Sequence, residues 1–315
     1  MKVGIIGAGN VGSSTAFSLI TQGIARKIIL IDTNANKAQA EAEDIAHAAP
    51  FSYAGKIRAG CYKDLEGAKI IILTAGANQK PDEPRTALLE RNVRIFENII
   101  PKIVQYAPDS IILIAANPVD IMTAVAIKLS GFPHNRVFGS GTVLDSARFR
   151  TLLGYYLNVS AKSVHANVLG EHGDSEVLIW SNAVAGGINI ADLAKSINKP
   201  LDETIKQDID EKVRNAAYRI INGKGATAYG IAGALSRICQ AIASNEHAIL
   251  NVSAFHQNLE GSSNICMAYP CIIGKYGIIG KLCPKFTSEE HQALEASAAK
   301  IQEYTKQAFH YIQEK

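Results

Sequence analysis

Lys2–Ser14 reads KVGIIGAGNVGSS: a short apolar run, then glycines at 7, 9 and 12 in GxGxxG spacing, then a stretch of helical character that runs to Gly23. A strand that turns sharply into a helix needs this pattern. Gly7 permits the tight turn, Gly9 lets the backbone approach a bound group, and Gly12 lets helix and strand pack closely. The helix start offers unpaired N–H groups and a partial positive charge, which suit a pyrophosphate. A glycine-rich turn without any ligand has the same sequence, so a second signal is needed. It comes at Asp32, which closes the next apolar run, KIILID. A carboxylate there can accept from both ribose hydroxyls and repels a 2′-phosphate. The pair of signals predicts dinucleotide binding, with NAD ahead of NADP.

Outward from that loop, short apolar runs alternate with amphipathic stretches of helical length: KIILID, KIIILTAG, SIILIAANP and RVFGSG follow KVGII. Runs that are apolar throughout, rather than alternating, belong to strands covered on both faces. The right-handed crossover rule then gives a doubly wound parallel sheet of Rossmann type, with ligands at the carboxyl ends of its strands. Beyond about residue 140 the pattern changes to long helices (DETIKQDIDEKVRNAAYRIING, SEEHQALEASAAKIQEYTKQAF) with β-rich segments between them (HAILNVSAF, NICMAYPCIIG). The fold class expected is α/β: a dinucleotide-binding domain over 1–140, then an α+β substrate, catalytic and oligomerisation domain over 141–315.

Composition narrows the classes of function. A chain of 315 residues suits two domains. With 47% hydrophobic and 19% charged residues and a net charge of +3 without a basic tract, it lacks the signature of a nucleic-acid or membrane-surface protein. No stretch reaches the roughly 18 apolar residues of a membrane span. Cys61, Cys239, Cys266, Cys271 and Cys283 show no zinc spacing, so no metal is expected, and an odd set of thiols reads as reduced, in a cytoplasmic protein. The lysine and apolar run at the start imitate a signal peptide only faintly, because glycines break the run; Met1 is taken as the mature N-terminus.

If the bound dinucleotide exchanges a hydride with a carbonyl, three further groups are needed: a proton donor of near-neutral pKa, a cation to polarise the carbonyl, and an anchor for the substrate. LGEHGDS supplies His172, GTVLDSARFR supplies Asp145 and Arg148, and NQKPDEPR supplies Arg85. An aspartate beside the histidine would raise its pKa and fix its tautomer, and an arginine fork matches a 2-oxo acid carboxylate. Each residue alone has a plain structural explanation; the set in this order does not. The glycines flanking Glu171 and His172, Gly170 and Gly173, are expected to let the backbone approach the cofactor.

The chain resembles the L-lactate and malate dehydrogenase superfamily, and within it the bacterial L-lactate dehydrogenases. GAGNVGS, TAGANQKPDEPR, ANPVD, SGTVLDSARFR, LGEHGDS, KGATAYGIA and GKYGIIGKLCPKFTSEEHQALEASAAKI carry the resemblance over essentially the whole length. It implies that His172 is the acid/base and Asp145 its partner, that Arg148 binds the substrate carboxylate, and that Arg85 polarises the carbonyl. It also implies that Asn117 contacts substrate and cofactor, that Val11 and Gly76 join Gly7, Gly9, Gly12 and Asp32 in holding NAD, and that the chain forms a homotetramer, with a dimer as fallback. Gln79 matches the position that faces the far end of the substrate, where malate enzymes place arginine. A neutral residue there favours pyruvate/L-lactate over oxaloacetate, although the adjacent Lys80 complicates the local charge. Thr227 matches the other wall and leaves room for a methyl or a slightly larger group, so a dehydrogenase of bulkier 2-hydroxy acids is the alternative, and malate comes third. Arg150 and His165 match residues that bind fructose 1,6-bisphosphate in allosteric relatives, with activation expected to be stronger near pH 6 than near pH 8. A non-catalytic NAD sensor would need the glycine loop and Asp32 but not the other polar groups, and a mere oligomerising scaffold explains none of them.

Overall fold

The computed structural model describes residues 1–53, 55–77 and 85–313, the side chains of Arg85, Thr86 and Gln313 excepted. In chain order the first half gives β1 (Lys2–Ile6), α1 (Asn10–Thr21), β2 (Lys27–Ile31), α2 (Ala35–Ala48), β3 (Lys56–Ala59), β4 (Ile70–Leu73), α3 (Arg85–Tyr106), β5 (Ile111–Ile114), α4 (Val119–Ser130) and β6 (Val137–Gly139). The six strands lie parallel in the order β6-β5-β4-β1-β2-β3, the doubly wound arrangement. Side chains alternate between its faces. Ile70 and Ile72 of β4, with Ile111 and Leu113 of β5, pack into one core with α1 and α2; Ile71, Leu73, Ile112 and Ile114 pack into the other with α3 and α4. Both faces are covered, which is why these strands read as unbroken apolar runs. A fully buried isoleucine contributes roughly 1.5–3 kcal/mol of hydrophobic stabilisation, so the sheet interior anchors this half.

The chain continues through α5 (Val143–Leu157), β7 (Val164–Leu169), β8 (Val177–Ala185), β9 (Ile188–Asn189), α6 (Ile190–Ser196), α7 (Glu203–Arg214), α8 (Ala216–Lys224), α9 (Tyr229–Ala243), β10 (Ala248–Leu259), β11 (Ser262–Gly274), β12 (Gly277–Lys281) and α10 (Ser288–Gln313). Strands β7, β8 and β9 form their own antiparallel sheet, whereas β10, β11 and β12 extend the N-terminal sheet, joined to β6 through the pair Ser253 and Gly139. After β6 the chain turns into α5, which packs against β7, β10, α7 and α9. The stretch 202–223, expected as one helix, is two: α7 stops at Asn215, whose N–H turns back to Glu211 and Val213 carbonyls, and α8 starts there. The same asparagine ends one helix, through its backbone N–H, and precedes the next without a side-chain cap.

Candidate active site

The turn between β1 and α1 shows which glycines the protein itself requires. Gly7 has φ +110°, and a Cβ there would sit 2.6 Å from the Ala75 amide nitrogen; a Cβ on Gly12 would lie 1.9 Å from the Gly7 carbonyl oxygen. Protein packing therefore excludes any side chain at both. Gly9 is different: a Cβ there would meet nothing within 4 Å. It is also the N-cap of α1, and no side chain caps it, so the first amides of the helix are left for an anion approaching over Gly9. Val11, in the first turn, is half-buried against the core. Asp32 closes the cradle: one carboxylate oxygen accepts from the Ala8 amide at 2.7 Å and the other from the Asn34 amide at 2.9 Å. The Thr33 hydroxyl adds a longer, exposed bond at 3.3 Å, so of the carboxylate's roughly four acceptor positions one is left for a ribose hydroxyl, and a second wherever that hydroxyl displaces Thr33. The open ground above Gly9, the uncapped helix start and the free acceptor of Asp32 fit a dinucleotide.

The second group of polar residues lies between α5 and the loop from β7 to β8. Asp145 sits in the first turn of α5 and is almost completely buried. One of its oxygens accepts from Arg148 Nη1 at 2.7 Å, one helical turn on; the other lies 2.6 Å from His172 Nδ1. Burial alone would raise the Asp145 pKa, but His172 and Arg148 together hold it below the usual carboxylate value. The Asp145 charge in turn raises His172 to about 9, against the opposing effect of burial. Near neutral pH this histidine is an imidazolium, with Nδ1 tied to Asp145 and Nε2 left to act as proton donor.

Two carboxyls that sequence reasoning did not single out support the same histidine. Asp120, in the first turn of α4, accepts the His172 backbone N–H at 2.8 Å, and burial raises its own pKa to about 6. It belongs to the ANPVD stretch, where only Asn117 drew notice. Glu176, the residue after LGEHGDS, is 4% exposed and offers an oxygen within 4.8 Å of His172 and Asp145. The loop is also clamped from α10: the Glu171 amide donates to Ser297 Oγ at 2.8 Å, and Lys300 pairs with the Glu171 carboxylate at 2.9 Å. This clamp accounts for Gly170. Its φ is +92° and a Cβ would lie 2.8 Å from Ser297 Oγ, so the close approach of α10 by itself requires glycine here. At Gly173 the nearest atom to a Cβ is the Glu171 side-chain carboxyl carbon at 3.2 Å.

The other expected site residues are placed as follows. Asn92 of α3 donates to the Asn117 carbonyl at 2.9 Å and accepts the Ala77 amide at 2.7 Å, so the ends of β4 and β5 are tied to one side chain beside Gly76. Thr227 is half-buried in the connection from α8 to α9. Gln79 lies outside the described residues, as does the side chain of Arg85, whose backbone begins α3. Arg150 is directed away from Asp145: its guanidinium donates to the Ala161 carbonyl at 3.2 Å, and its Nε is buried with no hydrogen-bond partner among the described residues. His165 is exposed on β7.

Residues 1–139 match the family described as lactate/malate dehydrogenase, NAD binding domain, and residues 142–312 match its alpha/beta C-terminal domain. The chain belongs to the lactate/malate dehydrogenase family. As a member it binds NAD through the N-terminal half, where the Gly9 opening and Asp32 lie. Among its relatives, an L-lactate dehydrogenase of Thermus aquaticus is 50% identical over 95% of this chain and 96% of its own length. An L-lactate dehydrogenase of Allorhizobium ampelinum is 50% identical over 96% and 98%. The crystal structure of a lactate dehydrogenase enzyme from a Medee basin deep-sea metagenome library superposes with a TM-score of 0.94 at 38% identity, covering 98% of both chains. Among the described residues no helix of this family member is long and apolar enough to cross a membrane.

Proposed function

We propose that the chain is an NAD-dependent L-lactate dehydrogenase that reduces pyruvate reversibly, with His172 as proton donor and acceptor. The observation that carries this reading is the Asp145 carboxylate, shared between His172 at 2.6 Å and Arg148 at 2.7 Å. NAD, when bound, supplies or accepts the hydride at the substrate carbon. The rest falls to the protein. Arg148 holds the substrate carboxylate with its planar fork and Arg85 polarises the carbonyl. As the carbon gains hydride, the carbonyl oxygen takes the proton from His172 Nε2, leaving a neutral imidazole; in the reverse direction the imidazole takes the hydroxyl proton. Asp145 keeps its charge throughout and stabilises the imidazolium. Asn117 and Thr227 complete the pocket and Gln79 faces the substrate methyl. The division of labour proposed is 1–140 for the dinucleotide and 141–315 for substrate and assembly, in a cytoplasmic homotetramer.

The test is NADH oxidation, followed by absorbance, with pyruvate, oxaloacetate and 2-oxoisocaproate, each also with NADPH. Pyruvate should be the fastest. A bulkier substrate that outruns it would give the alternative specificity, and no turnover with any of them would leave an NAD-binding protein without this chemistry. The same panel reads Asp32. Repulsion of the 2′-phosphate by its carboxylate should make NADPH at least about a hundredfold poorer than NADH in kcat/KM. In Asp32→Asn, which keeps an acceptor for the Ala8 amide, the gap should narrow; equal rates with both cofactors in the unaltered protein would remove this role.

Activation by fructose 1,6-bisphosphate is proposed for Arg150 and His165. Burial and the nearby Arg237 charge both lower the Arg150 pKa, so an anion that joins this neighbourhood relieves repulsion there. The bisphosphate should lower the apparent KM for pyruvate, more near pH 6 than near pH 8, and Arg150→Gln should abolish the response. Pyruvate saturation curves unchanged by the bisphosphate at both pH values would rule the regulation out.

A further inference from the structure

Glu176 is a buried carboxyl for which the reaction as described has no task. It immediately precedes β8, is 4% exposed, and its Oε1 is buried with no hydrogen-bond partner among the described residues. Its carboxyl lies within 4.8 Å of both the Asp145 carboxylate and the His172 ring. The cations nearby are already engaged. Arg148 and the His172 Nδ1 are held by Asp145. Arg214 of α7 is forked onto Asp210, with a further bond to the Asp174 carbonyl at 3.0 Å. On the far side of His172, Asp120 takes its backbone amide, and Glu171 is paired with Lys300. Asp145 therefore has two cationic partners and Glu176 has none to itself. Two carboxyls this close in a buried site do not both ionise freely, and the one without partners keeps the proton.

We propose that Glu176 is a positioning residue that carries a proton while the site binds its anionic substrate, and that losing this proton releases the substrate. The inference rests on the reading of His172 as the proton donor to a 2-oxo acid. With Glu176 neutral, Arg148 and protonated His172 outweigh Asp145 by one charge where they face a monoanion, and Asp120 is turned to the His172 backbone. Ionising Glu176 lowers the charge there by one unit and sets a second carboxylate within 4.8 Å of the ring that must meet the substrate. Burial and the Asp145 charge raise the Glu176 pKa to about 8, so the change falls just above neutral pH. The sign follows: a raised carboxyl pKa means the neutral, binding-competent form prevails below about pH 8 and is lost as pH rises through it. Glu176 and His172 are close enough that the protons leave in macroscopic steps belonging to the pair.

The distinguishing quantity is the number of protons taken up when substrate binds. Oxamate, the amide analogue of pyruvate, reports binding without turnover. Its dissociation constant from the NADH-loaded protein should rise with pH towards a limiting slope of about two decades per pH unit, since binding restores both protons. In Glu176→Gln, a neutral amide of the same shape as the acid, the limit should be about one. Calorimetry in buffers of different ionisation enthalpy gives the same number directly: uptake per site should exceed one proton near pH 9 in the unaltered protein and stay at or below one in the variant. A slope of one and an uptake never above one in the unaltered protein would overturn the role of Glu176, and this measurement stands even if the variant fails to fold. A slope of two that persists in Glu176→Gln would overturn it as well. Oxamate binding with no pH dependence at all would instead remove His172 as the proton donor, which is the failure of the underlying reading.

Discussion

Replacing His172 with asparagine should lower kcat/KM for pyruvate reduction by at least about a thousandfold while NADH binding survives. The two functions separate because they rest on different parts of the molecule. The proposed dinucleotide cradle is the Gly9 opening with Asp32, where Asp32 accepts the Ala8 amide and a Cβ on Gly9 would meet nothing within 4 Å. Asparagine keeps the backbone N–H that Asp120 accepts at 2.8 Å, so the loop retains its tie to α4, and the Glu171 contacts with Ser297 and Lys300 are not disturbed. What disappears is the proposed proton donor and the cation beside Asp145. Arg148 becomes that aspartate's only close partner, which also draws the guanidinium away from the substrate carboxylate, so KM should rise as well as kcat fall. NADH binding read by fluorescence and steady-state turnover are the two measurements. Parallel loss of both would identify a structural histidine.

The sheet was legible because its physics is local. A strand buried on both faces must be apolar at every position, and a glycine-rich turn must follow where a helix starts against it, so KVGII, KIILID and the later runs declare themselves. Strand β3 did not, since KIRA lies at the sheet edge with alternate residues exposed, and four residues with two cations resemble a loop. The break at Asn215 was hidden for the opposite reason: both halves of the stretch suit a helix, and only the turn of the chain separates them. In the polar site the same distinction holds. Asp145 and Arg148 are one helical turn apart, and their pairing follows from spacing. The contact of Asp145 with His172 depends on α5 packing against β7, and no spacing rule supplies it. Asp120 and Glu176 were missed because a buried carboxyl has no signature in sequence; its meaning comes from the partners it has or lacks. Gly170 was noticed, but the neighbour that requires it, Ser297, comes from a helix more than a hundred residues later.

Gln79→Arg should turn the preference from pyruvate to oxaloacetate by roughly a hundredfold or more. The two substrates share the carboxylate that Arg148 would hold and the carbonyl that His172 would protonate, and they differ only at the far end, a methyl against a second carboxylate. Discrimination must therefore come from the residue that meets that end. If Gln79 is that residue, as proposed, a neutral glutamine would leave the second carboxylate desolvated without a partner, a penalty of about 3 kcal/mol or more, while the methyl would lose nothing. Arginine reverses both terms: it pairs with the carboxylate, with two parallel hydrogen bonds where the geometry allows, and it is itself left buried and unpaired when pyruvate binds. The effect on the ratio is thus larger than either change alone, because one substrate gains what the other loses. Lys80 is the internal control. If its ammonium already served the second carboxylate, the unaltered protein would accept oxaloacetate well and the substitution would add little, whereas Lys80→Met would then be the change that matters. Measuring kcat/KM for both acids in the unaltered protein and in the two variants separates the cases. A ratio that barely moves in Gln79→Arg and collapses in Lys80→Met would transfer the specificity role to the neighbouring residue.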